Sequence, residues 1–374
     1  VQALHSAGLG VVMDVVYNHT YYSNSWLERT VPGYWNRRWE NGSLTNGSGC
    51  GCDLASERTM VRKYLVDSCV YWAKEYHIDG FRFDLMALHD VETMNAIRAA
   101  LDALPGGEDI LMYGEPWQGG STRMEHGAIP ANKQAAGLLD SRIGFFCDNT
   151  RDAIKGGVFN AGSAGYINGD MHCGHQVLHS IPAWRGGQAD FMPQAPGQVV
   201  QYVSAHDNYT LWDKLKCVAR RRDYAVPDAD LLAQNRMAAG IYLTCQGLPF
   251  MQAGEEFART KHGDHNTYRG PLERNRLDWA RAAQLEELVQ YYHGLLEIRK
   301  AYPELSGMAE DAEPCILSLP GWLIGFVPER RGESLPGRLA VYYNPERTRQ
   351  WAALPAGNWR YLCDGTRAAA EPFG

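Results

Sequence analysis

The stretch "IDGFRFDLMALHD", residues 78–90, decides how the chain is read. Its apolar run is of the kind that ends in a buried sheet, yet it carries Arg82 and Asp84 two residues apart. On a strand, residues i and i+2 share a face, so the cation and the carboxylate look into one interior together. Buried charges cost several kcal/mol each unless they are paired or put to use. A pair placed this way calls for a functional explanation.

Working outward, short β-rich runs alternate with helical patterns, the signature of a parallel α/β sheet or barrel. The strand candidates are residues 10–16, 78–84, 109–115, 142–148, 199–205 and 248–254. Between the first two, Val61, Leu65, Cys69, Trp72 and Tyr76 recur at helical spacing and predict a helix over Thr59 to Tyr76. A second helix, "LEELVQYYHGLLEIRK", follows the last strand. From about residue 308 short strand-like runs separated by Gly, Pro and charged turns predict a small all-β domain. The expected division is therefore 1–303, an α/β domain, and 308–374, part of a β-sandwich.

With 374 residues, 45% hydrophobic, the chain can bury one large core and something smaller beside it. A net charge of -7 without basic blocks argues against nucleic acid and against an anionic membrane surface. No apolar stretch is long enough to span a bilayer. Nine scattered cysteines suggest free thiols rather than a disulfide framework. Neither the Cys50/Cys52 pair nor the "MHCGH" run at 171–175 has a standard zinc spacing, so no metal ligands are assigned. The chain starts at Val1 without a Met or a signal peptide, which leaves cytoplasmic and secreted locations equally open. Oligomeric state is likewise unread.

Nearly every strand candidate ends in polar or charged groups: Asp14 with Asn18 and His19, Arg82 with Asp84, Glu115, Asp148, His206 with Asp207, and Glu255 with Glu256. In α/β barrels, catalytic groups gather at the C-terminal ends of several strands. Each carboxylate alone could simply cap the next helix. A cap, however, needs neither an Arg two residues earlier nor a His immediately before. Carboxylates paired in this way suit glycosyl transfer or hydrolysis, with one as nucleophile and another as acid. Arg82 beside Asp84 is expected to keep it anionic, while Pro116 and Trp117 suggest an apolar setting that keeps Glu115 protonated.

The runs "DVVYNH", "GFRFDLM", "YGEPW" and "VSAHDN" resemble, in order, the four signature regions of the α-amylase superfamily of glycoside hydrolases. The connectors "TVPGYW", "NGSGCG", "ASERTMVRKYLVDS", "RDAIKGGVF", "HDNYTLWDKL" and "AGEEFARTKHGDHNTY" resemble those of type I pullulanases, the α-1,6 debranching enzymes, over roughly residues 1 to 303. The resemblance implies a (β/α)8 TIM-type barrel followed by a small C-terminal all-β domain. It makes Asp84 the nucleophile, Glu115 the general acid/base and Asp207 the carboxylate that stabilises the transition state. Arg82, His19, His206, Asn208 and Trp117 would contact an α-glucan polysaccharide, and Asp14 would position Arg82. No cofactor is implied for the chemistry. A structural calcium stays open at Asn18, where some relatives bind one.

Cys52 and Cys147 stand where many relatives have Asn, and Glu273 where Asp is common. The first signature region belongs to the third barrel strand, so the resemblance places two strands before Val1. The chain on its own is then expected to be aggregation-prone and inactive. Isoamylase-like and glycogen-debranching enzymes resemble "HDG" where this chain has Asn208, which favours the pullulanase reading; a dual-specificity amylopullulanase is a further variant. A non-catalytic glucan-binding protein would have no reason to keep Asp84, Glu115 and Asp207 together.

Overall fold

All six strand candidates form strands, each shorter than its apolar run. The structure is a computed structural model that describes residues 1–125, 127–188, 190–308, 312–330 and 339–374. The chain divides into one unit of Val1–Phe146 with Arg185–Val199 and another of Cys147–Trp184 with Val200–Gly374.

In the first unit four parallel strands lie side by side: β1 (Val12–Val15), β2 (Gly80–Phe83), β3 (Leu111–Gly114) and β4 (Ile143–Phe146). β2 and β4 are buried along their whole length, as strands of a parallel sheet covered on both faces are. The register sets Asp14 against Arg82 and Arg82 against Tyr113, so one row of side chains crosses three strands. Helix α1 (Thr59–Tyr76) occupies the predicted span and buries Val61, Leu65 and Cys69. Its stripe ends on Ala73; Tyr76 is exposed, because the turn at His77 (φ 54) leads the chain away into β2. Helix α2 (Val91–Asp102) starts at Asp90, whose side chain accepts from the Thr93 N–H as an N-cap should.

In the second unit β5 (Val199–Gln201) pairs in parallel with β6 (Leu248–Pro249). Around them stand α3 (Asp148–Lys155), α4 (Leu211–Val218), α5 (Ala229–Thr244) and α6 (Glu286–Ala301). Trp212, Tyr242, Leu288 and Leu295 form part of their common core. The C-terminal strands β7 (Ala312–Ile316), β8 (Ile324–Arg330) and β9 (Val341–Tyr343) make an antiparallel sheet, and β10 (Tyr361–Cys363) pairs with β11 (Ala368–Phe373). Residues 309–311 and 331–338 of the expected 308–374 segment lie outside the described residues, including Arg338 of the "RLAVYYN" run. These strands fall in the same compact unit as α6. The contact is intimate: a Cβ on Gly294 of α6 would lie 1.9 Å from the Ala368 carbonyl, so only glycine lets β11 approach. All nine cysteines are free thiols, and no helix among the described residues is long and apolar enough to cross a membrane.

The second unit also encloses a carboxylate. Glu255 is 2% exposed and accepts from Ser204 Oγ at 2.5 Å, Tyr242 OH at 2.9 Å and Tyr292 OH at 3.1 Å. Burial pushes its pKa up to about 7, although these hydroxyls and Lys155 pull the other way. A carboxyl group whose pKa is higher folded than unfolded stabilises the fold fully below about pH 4.3, its unfolded value. That stability drains away as pH rises to about 7, a loss on the order of 3 kcal/mol. Glu255→Gln should therefore flatten the fall in stability between those pH values, read from urea midpoints across the range.

Candidate active site

The strand register delivers the site. Asp14 in β1 and Arg82 in β2 are cross-strand partners, and Asp84 and Glu115 follow directly on β2 and β3. One Arg82 nitrogen, Nη1, donates to Asp14 Oδ1 at 2.8 Å and to Asp84 Oδ1 at 3.0 Å. The other, Nη2, reaches Glu115 Oε1 at 2.5 Å. The guanidinium lies 5.9 Å from the centroid of the Phe146 ring. Burial works against the charge on Arg82, but Glu115, Asp14 and Asp84 outweigh it and its pKa is raised.

Asp84 is held on its other side by Asn18, which is fully buried. The Asn18 Nδ2 donates to the Asp84 carbonyl at 2.7 Å and to Asp84 Oδ2 at 2.9 Å. Its Oδ1 faces His19 Nδ1. His19 in turn sits on a two-residue strand, His19–Thr20, paired antiparallel with Cys52–Asp53. Burial lowers its pKa, against the pull of Asp84 and Asp53. Glu115 accepts a second bond at Oε2, from the Leu85 N–H at 2.9 Å. Leu85 takes the left-handed conformation (φ 39, ψ 55), which is rare for a branched side chain and gathers at functional sites.

The first unit thus brings together Asp14, Asn18, His19, Arg82, Asp84 and Glu115. Trp117 lies half-buried in the irregular segment after β3. His206, Asp207 and Asn208 lie in the second unit, on the irregular segment after β5; the His206 and Asp207 side chains are 61% and 68% exposed. Asn208 has φ 62, a conformation that Gly and Asn both adopt. The backbone at this position therefore admits either Asn or Gly.

One expectation needs correcting. Glu115 does not look into an apolar setting: the parallel register puts it beside the Arg82 guanidinium, so it shares a cation with Asp84. The Asn18 amide is engaged by Asp84 and its oxygen faces His19. Among the described residues no cluster of three or more His, Cys, Asp or Glu side chains is arranged to hold a metal. The grip of Asn18 on Asp84 was missed in the sequence. Its only trace there was its place in "DVVYNH".

Carboxylates that end successive parallel strands are thus tied through one arginine. No family model matches the chain. Over 314 residues, 81% of its length, it is 40% identical to a pullulanase of Bacillus subtilis strain 168 and spans 41% of that protein. The pullulanase structure from Bacillus acidopullulyticus superposes over the whole chain with a TM-score of 0.89 at 35% identity, the chain spanning 45% of it. The Paenibacillus barengoltzii pullulanase, in complex with maltohexaose and α-cyclodextrin, matches 95% of the chain with a TM-score of 0.86 at 38% identity, over 55% of its own length. The chain belongs to the pullulanase family. It spans about half the length of these relatives, and its fold is that of a partial α/β barrel followed by small β-sheets.

Replacing Arg82 by Met leaves Asp14, Asp84 and Glu115 facing one another without their cation. Removing one partner of a buried ion pair typically costs about 3–5 kcal/mol. Urea unfolding of the variant at pH 7 should show a loss of that order.

Proposed function

We propose that the protein is a retaining glycoside hydrolase that cleaves α-1,6-glucosidic branch linkages in pullulan, amylopectin and related α-glucans. The observation that carries this is the Arg82 guanidinium bonded to both Asp84 and Glu115. Sharing one guanidinium draws the two carboxylates together, as the short spacing of about 5–5.5 Å in retaining enzymes requires. The catalytic part is residues 1–303, and 308–374 is an appended β-domain.

In this reading Asp84 attacks the anomeric carbon. Arg82 and Asn18 occupy one oxygen each and aim the carboxylate. Glu115 protonates the departing glycosidic oxygen, then accepts a proton from the water that releases the sugar. Both Glu115 oxygens now accept bonds, from Arg82 and from the Leu85 N–H. Asp207 is the third carboxylate and holds a sugar hydroxyl more tightly in the transition state. His19, His206 and Asn208 contact the sugar at the reacting subsite, and Trp117 stacks on a neighbouring glucose. Asp14 acts through Arg82.

The test is kinetic and uses the full-length enzyme. It should release maltotriose from pullulan and leave unbranched amylose nearly untouched; efficient shortening of amylose would point to an amylopullulanase or an amylase. Asp84→Asn should abolish turnover of every substrate. Glu115→Gln should lose pullulan hydrolysis by about 10²–10⁴-fold yet spare substrates with very good leaving groups, which need little protonation. Equal loss on both kinds of substrate would remove Glu115 from the role of acid.

A further inference from the structure

Asp207 sits on a segment that does little to hold itself. Among the described residues, one hydrogen bond reaches the backbone of residues 205–208: Lys261 Nζ donates to the His206 carbonyl at 3.1 Å, across 55 residues of sequence. The segment's two charged side chains are mostly exposed, and Asn208 is in the left-handed region.

The lysine itself is held firmly. It is 1% exposed, and a buried ammonium is costly unless it meets acceptors or counter-charge. Its backbone N–H donates to Asp213 Oδ2 at 2.7 Å, and the neighbouring Thr260 Oγ1 donates to Asp213 Oδ1 at 2.5 Å. Asp213 is fully buried in the first turn of α4, and its own N–H is capped by Thr210 Oγ1 at 3.1 Å. Burial, with Arg259, lowers the Lys261 pKa against the opposing pull of Asp213, Asp207 and Asp264. Two sequence runs to which the proposed chemistry assigns only His206, Asp207 and Asn208, "HDNYTLWDKL" and "AGEEFARTKHGDHNTY", therefore meet at one anchor.

We propose that Lys261 is a positioning residue for Asp207: anchored on Asp213, its buried ammonium pins the His206 carbonyl and so fixes where the next carboxylate points. This rests on reading Asp207 as the third carboxylate. A hydrogen bond that strengthens only in the transition state is lost when its donor or acceptor drifts, which lowers kcat rather than raising KM.

The experiment uses the full-length enzyme on pullulan with Lys261→Met, Lys261→Arg, Asp207→Asn and the double variant Lys261→Met/Asp207→Asn. Lys261→Met should lower kcat by roughly 10- to 100-fold, the scale of an ångström-sized misplacement, with KM within about twofold. Lys261→Arg, which restores a charged donor, should recover part of that loss. In the Asp207→Asn background, Lys261→Met should cost less than about threefold, because the carboxylate it positions is gone. If the Met variant does not fold, Lys261→Gln keeps a donor without charge and should show the same kcat-specific loss at smaller size. A folded Met or Gln variant with wild-type kcat overturns the proposal, as does an equal cost with and without Asp207. An Asp207→Asn enzyme of nearly normal kcat sinks the reading of Asp207 itself, whereas an inactive one beside neutral Lys261 variants sinks only the role of the lysine.

Discussion

A single guanidinium shared by three carboxylates is the constraint on which the first unit is organised. Arg82 can reach Asp14, Asp84 and Glu115 only because β1, β2 and β3 run parallel in one register. A slip of one residue would turn Arg82 to the opposite face and leave the carboxylates without it. Burial makes the arrangement consequential. With Arg82 only 8% exposed, the charges are weakly screened by water, and each carboxylate depends on the others' partner. Asn18 completes the clamp from the side that Arg82 leaves open.

Asp84 and Glu115 compete for one cation, and the left-handed Leu85 offers Glu115 its backbone N–H. Such a conformation costs a non-glycine residue on the order of 1–2 kcal/mol. The Glu115 bond and the closely packed Met86 and Leu88 that follow are what hold it in place. Asn208, which follows Asp207, is also left-handed. Asp84 and Asp207 are thus each followed by a residue whose backbone turns sharply, bending the chain out of extended geometry.

Much of this was legible in the sequence, for local reasons. The strands announced themselves as apolar runs ended by charge, α1 by its helical spacing, and the pairing of Arg82 with Asp84 by strand periodicity alone. What depends on which strands are neighbours was not legible. Nothing in "YGEPW" says that Glu115 meets the guanidinium of another strand; its apolar neighbours Pro116 and Trp117 suggested the opposite. The amide of Asn18 and the ammonium of Lys261 were invisible for the same reason, since each acts on a residue tens of positions away. The division into units was hidden too. Gly294, unremarkable in a helix sequence, is where β11 closes on α6.

The central claim is that Asp84, clamped by Arg82 and Asn18, is the group that bonds to the sugar. A fluorinated maltosyl fluoride that slows release of the glycosyl enzyme, incubated with the full-length protein and followed by peptide mapping, reads this directly. The account predicts one maltosyl group per active enzyme, attached within "GFRFDLM" on Asp84. A label on Glu115 or Asp207, or inactivation-free turnover with no covalent adduct at all, would contradict it.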